Sequence, residues 1–475
     1  MTGIYLAGAF SISGLLFFNR NRILSYLLIT GFLLLQIGFT IYECFHKDAA
    51  ELTYFSADSL GILLLVTLAI ISIPAFYHSY KYLSSKQDNP RRTAIYYGAM
   101  VSLLTAISGA YLSNHIAVTW IFVELTTLSA SALIYHRRND RSLEGTWKYV
   151  FVCAISITLV FIGILFLSFS LHQAGADDLS FANLLKRTND LNLFWLRLAF
   201  IFIFTGFTAK LGLVPMYTAG IDAKDKAPSP AGALFSSVLM NVGFVGIFRF
   251  YIVIANSPIH SWADHIILVA AVLSIFVATV YMTKVKNIKR MFAYSGIEHM
   301  GIVMLGVAAG GVGYYAAILH IVFHSFVKSS LFFQMGQIYR IYKSKSIYDV
   351  GNYFKYNLTG SIIILLAFFF ATAMPPSGLF ISEFMIFRSL FESNYLFVLV
   401  LTMLLLTVII WAFGKNVFKL LFSPAVDFKE EGLEKIKPVE SLSQFILLGL
   451  VVYLGMTPPQ EFVTLIQDAI KNLPH

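Results

Sequence analysis

Cysteine and charge are both scarce in this sequence. Two cysteines occur in 475 residues, Cys44 and Cys153, with no CxxC pair; this excludes a disulfide framework and argues against a protein-bound iron–sulfur cluster or a structural zinc site. Charged residues make up 12% and hydrophobic residues 58%, more apolar surface than a soluble domain can hide, so the chain belongs in lipid. There is no nucleophile constellation, HExxH motif or phosphate loop. The run from Gly306 to Gly313 lacks the Gly-Lys-Ser/Thr ending of a P-loop and reads as a turn between helices. An active site within this chain is therefore not expected. A basic leader and a small-residue cleavage site are also missing before Ile4 to Phe18, which reads as a retained first helix.

What the sequence does have is apolar length. Runs long enough to cross ~30 Å of hydrocarbon, about 20 helical residues each, number fourteen. Their approximate limits are 2–18, 23–43, 57–84, 94–113, 115–135, 147–171, 194–219, 230–254, 262–284, 288–310, 313–339, 358–390, 394–422 and 441–457. The expected fold is an all-α polytopic membrane protein. Its 44 Phe and 25 Tyr suit side chains that meet acyl tails or headgroups. The net charge of +9 is explained by topology rather than by nucleic acid. Loops after the odd-numbered segments carry 25 Lys and Arg, whereas the opposite side carries five: Lys47, Lys186, Arg187, Arg197 and Lys471. The basic loops are expected to face the cytoplasm and both termini the outer side of a bacterial or archaeal inner membrane. Lys210, Arg249, Lys328 and Arg388 fall inside segments or at their ends, where topology does not account for them.

A charge near the bilayer centre costs roughly 2.5–3.5 kcal/mol on insertion scales and marks a functional site by default. Glu124 lies midway along segment 5 and Lys210 deep in segment 7. The two are expected to seek each other, and making or breaking that contact would change which protonation state of Lys210 is favoured. A static ion pair holding two helices together is the plainer reading. In segment 11, His320, His324 and Lys328 fall at i, i+4 and i+8 and line one helix face over about 12 Å. Imidazoles pass protons near neutral pH, so this reads as a titratable ladder. Zinc is the rival, without a third ligand in evidence; haem is disfavoured because both histidines point the same way. Glu298 lies ~15 Å into segment 10, near mid-membrane. Its neighbour His299 points to a different face, so only one of the two is expected to line the interior. Glu383 follows the break at Pro375 and Pro376 in segment 12, as Pro215 follows Lys210 in segment 7. Proline removes a backbone donor, and irregular backbone at membrane depth survives only where protein or water covers it.

The two interrupted segments stand five apart, so segments 4–8 and 9–13 form two five-helix units of opposite direction, an inverted-repeat plan. Four regions result: 1–90 with segments 1–3, 91–256 and 257–424 as the repeats, and 425–475 as a cytoplasmic loop, segment 14 and a tail.

At this point the motifs resemble a known family, the antiporter-like membrane subunits of respiratory complex I, Mrp cation/proton antiporters and membrane-bound hydrogenases. The resemblance is densest from Trp120 to Glu383. Within the family the chain is most similar to the branch of hydrogenase-4 component F and its formate hydrogenlyase relative. The carrying stretches are Glu124-Leu-Thr-Thr-Leu, Trp147-Lys-Tyr-Val, Ala227-Pro-Ser-Pro, Lys289-Arg-Met-Phe-Ala-Tyr-Ser-Gly-Ile-Glu-His-Met-Gly and Pro375-Pro-Ser-Gly-Leu-Phe-Ile-Ser-Glu-Phe. The resemblance implies fourteen helices with segments 7 and 12 broken. It also implies proton-translocating roles for Glu124, Lys210, Lys328 and Glu383, with His320 and His324 as a central relay and Glu298 as a mark of the hydrogenase-4 branch. Two departures stand out. Tyr217-Thr-Ala-Gly-Ile-Asp replaces the family's His-Thr-Trp-Leu-Pro-Asp, and Asn241 stands where many complex I members carry a lysine; Asn241 with water is expected to serve in its place. The implied function is proton translocation within a redox-driven complex, with a sodium or potassium/proton exchanger and a non-pumping hydrogenase anchor as alternatives. The implied partners are other membrane subunits, lipid and a peripheral redox arm, without nucleic acid. No cofactor is expected in this chain, and any Ni–Fe or iron–sulfur centres would sit in partner subunits.

Overall fold

The computed structural model describes residues 1–47, 52–84, 89–425, 428 and 433–474, so part of the expected loop after residue 425 lies outside the described residues. The described chain is all-helical, with isolated bridges in place of strands. In chain order the helices are α1 Thr2–Phe18, α2 Arg22–Phe45, α3 Ser59–Ser84, α4 Pro90–Leu112, α5 Ile116–Ile134, α6 Asp140–Gln173 and α7 Phe181–Lys186. There follow α8 Leu193–Leu211, α9 Thr218–Lys226, α10 Ser229–Phe235, α11 Val238–Ala255, α12 His260–Lys284, α13 Ile288–Ala309 and α14 Val312–Tyr342. The chain continues through α15 Tyr353–Tyr356, α16 Leu358–Ala371, α17 Gly378–Glu392, α18 Leu396–Phe422, α19 Leu442–Met456 and α20 Gln460–Ile470.

Among the described residues twelve helical stretches are long and apolar enough to cross a membrane. The expected first and twelfth segments appear as shorter apolar helices, Thr2–Phe18 and Leu358–Ala371. Both expected breaks are present. Segment 7 divides into α8 and α9 around Pro215, and segment 12 into α16 and α17 around Pro375 and Pro376. A further break, at Ser236 and Ser237, separates α10 from α11 inside segment 8, which the sequence reading takes as continuous.

Local chemistry sets these boundaries. Asn192 caps α8 by accepting from Phe194 N (3.0 Å), and Gly212 ends it at φ +88°, a left-handed conformation that costs glycine little. Asn139 and Ser142 form a reciprocal capping box at the start of α6. Asn287 caps α13, and Ser377 restarts the broken segment as α17 by accepting from Phe380 N.

The helices gather into two compact units. One comprises residues 1–227, 238–266 and 464–475. Its site is positioned by α5, α6, α8, α9 and α11, which pack on one another. Glycine permits the closest approaches: a Cβ on Gly206 of α8 would meet the Ser156 carbonyl of α6 at 2.4 Å, and one on Gly243 of α11 would meet Leu211 N at 2.3 Å.

The other unit comprises residues 228–237 and 267–463. At its centre is α14, packed by α10, α13, α16, α17 and α19. The apolar spans of α13 and α14 are entirely covered by protein, whereas only a third of that of α6 or α18 is. Their polar side chains therefore face protein on every side.

Candidate functional site: two clusters of buried polar groups

In the first unit, Lys210 sits at the end of α8 with 7% of its surface exposed. Its Nζ donates to Thr127 Oγ1 (2.7 Å) and Tyr149 Oη (3.1 Å), approaches Cys153 Sγ at 3.7 Å, and lies 5.1 Å from the Tyr149 ring centre. The expected Glu124–Lys210 contact is therefore not a direct ion pair. Thr127, one turn after Glu124 on α5, takes the ammonium instead. The half-buried Glu124 stays within electrostatic range of Lys210, its Oε2 enclosed without a hydrogen-bond partner. Asn241, fully buried on α11, lies beside the Tyr111 hydroxyl, which donates to the Val238 carbonyl at 2.6 Å. Lys224 on α9 is also buried, at 3% exposure. The sequence reading places it in a cytoplasmic loop, because α9 has too few apolar residues to register as a segment.

The second unit holds the ladder. His320, His324 and Lys328 share a face of α14 and are wholly buried. Lys328 Nζ donates to Ser295 Oγ of α13 at 2.6 Å and interacts with the Glu298 carboxylate one turn further on. Glu298 in turn feels the carboxylate of Glu383 on α17, and its Oε2 is buried without a hydrogen-bond partner.

His299 corrects the sequence reading. The expectation that only one of Glu298 and His299 lines the interior assumes a helix with a lipid face, which α13 does not have; both residues are buried. His299 Nδ1 lies 3.0 Å from His320 Nε2, and its ring centre is 5.2 Å from that of His324. On the other side of His320, Nδ1 lies 3.0 Å from Ser382 Oγ, next in sequence to Glu383. Ser382 donates its hydroxyl hydrogen to the Leu379 carbonyl (3.1 Å). With the Ser382 hydrogen on that carbonyl, His320 donates Nδ1–H to Ser382 and accepts at Nε2 from His299 Nδ1–H; rotation of the hydroxyl toward His320 gives the opposite pair of tautomers. In the first arrangement His299 Nε2 is left as a buried acceptor without a partner. A proton added there can pass from ring to ring, because each neutral imidazole holds one acceptor and one donor nitrogen. Ser295, Ser382, Thr127 and Tyr149 lie within the stretches that carry the family resemblance, but hydropathy and spacing do not single them out as partners of the charged groups. Among the described residues no group of three or more His, Cys, Asp or Glu is arranged to hold a metal ion.

The sequence model of the family described as NADH:quinone oxidoreductase/Mrp antiporter, TM, matches residues 113–409, a span that includes Glu124, Lys210 and Asn241 of the first cluster and all of the second. The chain belongs to this family. It is an antiporter-like membrane subunit of the complex I and hydrogenase type. The hydrogenase-4 component F homolog of Methylacidiphilum infernorum (isolate V4) is 30% identical over 404 residues, 82% of this chain and 83% of that protein. A chain of the membrane-bound sulfane sulfur reductase, an archaeal respiratory membrane complex, superposes with a TM-score of 0.87 at 18% identity, covering 99% of this chain and 97% of that one. A chain of the Mrp complex from Dietzia sp. DQ12-45-1b gives 0.84 at 14% identity, covering 99% and 97%. At these identities the solved structures carry the fold of the antiporter-like subunit and no more.

Proposed function

We propose that this antiporter-like subunit translocates protons across a bacterial or archaeal inner membrane as part of a redox-driven complex of the hydrogenase-4/formate hydrogenlyase or NADH dehydrogenase type. The observation that supports it most directly is the buried chain His299–His320–Ser382, flanked by Lys328, Glu298 and Glu383. Unlike a static ion pair, it offers one open acceptor and a continuous set of donors. Titratable groups inside a membrane span are costly and are kept for ion pathways.

In this reading, redox energy released in a peripheral arm reaches the subunit through neighbouring membrane subunits and shifts Glu124 relative to Lys210. The ammonium of Lys210 is held here by the neutral groups Thr127 and Tyr149; a carboxylate that approaches stabilises the ammonium, and one that withdraws favours release of its proton. In the second unit a proton moves through the histidines toward Glu383. The broken segments at Pro215 and at Pro375 and Pro376 mark related positions of two inverted repeats, residues 91–256 and 257–424, and both chain termini face outward. Ni–Fe and iron–sulfur centres belong to partner subunits.

The test is proton uptake by inverted membrane vesicles containing the assembled complex, energised in turn with formate, hydrogen and NADH under sodium-free conditions. Uptake in wild type that is lost in Lys210→Ala at equal assembly supports the reading. Uptake only when sodium is present favours cation exchange, and normal uptake in Lys210→Ala refutes the role given to Lys210.

A further inference from the structure

Lys224 is a buried charge that the proposed route leaves unused. It sits on α9, the short helix after the break at Pro215, and its side chain runs back over Gly220, where a Cβ would stand 3.8 Å from both Cε and Nζ. The Nζ ends 3.0 Å from Met240 Sδ on α11. A thioether is a weak acceptor and an ammonium has three hydrogens to place, so this is poor compensation for a residue with 3% of its surface exposed. The adjacent carboxylate, Asp225, is engaged elsewhere, with Lys226 Nζ at 3.1 Å. Lys224 thus differs from Arg249, another buried cation of this unit, which holds the Asp58 carboxylate at 2.7 Å and donates to the Ser113 and Tyr111 carbonyls.

Its place in the unit gives the amine a use. Met240 lies between two features of the first cluster. Its Cε packs against the Gly212 turn, two residues past Lys210, at 3.1 Å from where a Cβ would stand, and it directly precedes the fully buried Asn241. Asn241 and Tyr111 can hydrogen-bond a water, but an amide does not take up a proton under physiological conditions, whereas an amine does. A lysine retained in such surroundings without a carboxylate is either a relay or a cost without return.

We propose that Lys224 is a proton-relay residue of the first unit, taking up and releasing the proton that passes between Lys210 and the Asn241–Tyr111 region. This rests on the pumping function proposed above. The step is a simple transfer: a proton arrives on the neutral amine at Nζ and leaves from the ammonium to the next acceptor, with no bond to carbon made or broken.

Three substitutions separate a relay from a structural role. Lys224→Met fills the volume without titrating, Lys224→Arg keeps a charge that cannot be released, and Lys224→His keeps an exchangeable proton. In the inverted-vesicle assay, at equal assembly, Met and Arg are expected to lower proton uptake about tenfold or more and His to retain a measurable part of it. Thermal unfolding of the assembled complex supplies a second readout. Lys224→Met removes an uncompensated ammonium and is expected to leave the Tm unchanged or raised, where a lysine that held the fold together would lower it. Wild-type uptake with unimpaired Lys224→Met or Lys224→Arg overturns this inference alone. Wild-type vesicles that take up no protons with any donor overturn the pumping function and this inference together. A Tm lowered by Lys224→Met overturns the claim that the amine lacks a structural partner.

Discussion

Gly243→Ala probes how tightly the position of Lys210 is set. A Cβ at residue 243 of α11 would lie 2.3 Å from Leu211 N and 2.9 Å from the carbonyl carbon of Lys210. Non-bonded carbon and nitrogen atoms settle nearer ~3.5 Å, so the helices must part by about 1 Å at this point. Both obstructing atoms are backbone and cannot rotate away. Overpacking of this kind costs roughly 1–3 kcal/mol. The functional loss is expected to be larger, because a ~1 Å misplacement of a reacting group can lower a rate about 100-fold, and the displaced backbone is that of Lys210 itself. Two controls share the chemistry. Gly246→Ala on the same helix meets first the side chain of Phe207, at 2.8 Å, and Gly449→Ala on α19 meets nothing within 4 Å. Thermal unfolding and proton uptake are measured on the three variants. The order of damage should be Gly243, then Gly246, with Gly449 near wild type. Equal behaviour of Gly243→Ala and Gly449→Ala would refute the claim that close backbone contact positions Lys210.

His299→Leu is expected to leave His320 Nε2 buried without its donor, at a stability cost of about 1–3 kcal/mol, and to abolish proton uptake where His299→Gln, which can still donate, restores stability but not uptake. A variant that pumps normally would take His299 out of the pathway. His115 gives a pH effect outside the spans. It caps α5 by accepting from Ala117 N at 3.3 Å through Nδ1, and burial pushes its pKa below the usual imidazole range, partly offset by Asp178. Because the folded state favours the neutral ring, this contribution is intact above the unfolded value of about 6.5 and is lost as pH falls through the lower folded value. Wild type is therefore expected to lose more thermal stability between pH 8 and pH 5 than His115→Asn, whose cap does not titrate; identical pH profiles would contradict this.

Much of this architecture is legible from hydropathy, because a span must be apolar over its whole length, and proline marks candidate breaks by removing a backbone donor, although α3 runs through Pro74 without one. The breaks at Pro215 and at Pro375 and Pro376 were readable for that reason, and so was the spacing of His320, His324 and Lys328, which is fixed by helical periodicity. Three features escaped. The break at Ser236 and Ser237 has no proline, and serines are tolerated within helices, so nothing local announces it. Helical periodicity separates the faces of Glu298 and His299, but whether either face of α13 meets lipid is decided by neighbours far away in sequence. Lys224 lies in a stretch, Thr218–Lys226, with charges at its end, and the same residues that keep it off a hydropathy profile are those the fold encloses. Glu124 and Thr127 lie one turn apart on α5, and which of them the Lys210 ammonium reaches depends on side-chain geometry rather than on spacing.

The complete enclosure of α13 and α14 has a consequence for how this protein is made. The helices that cover the ladder on α14 include α16, α17 and α19, all synthesised after it, the last ending at Met456. While the chain is growing, His320, His324, Lys328 and Glu298 have no such cover, and insertion of their helices must tolerate polar side chains that only later residues enclose. A chain ending before Leu442 would therefore be expected to fail at membrane integration and quality control rather than at proton transfer. Loss of the final apolar helix and loss of a single ladder residue should accordingly produce different defects, absent protein in one case and abundant but inactive protein in the other.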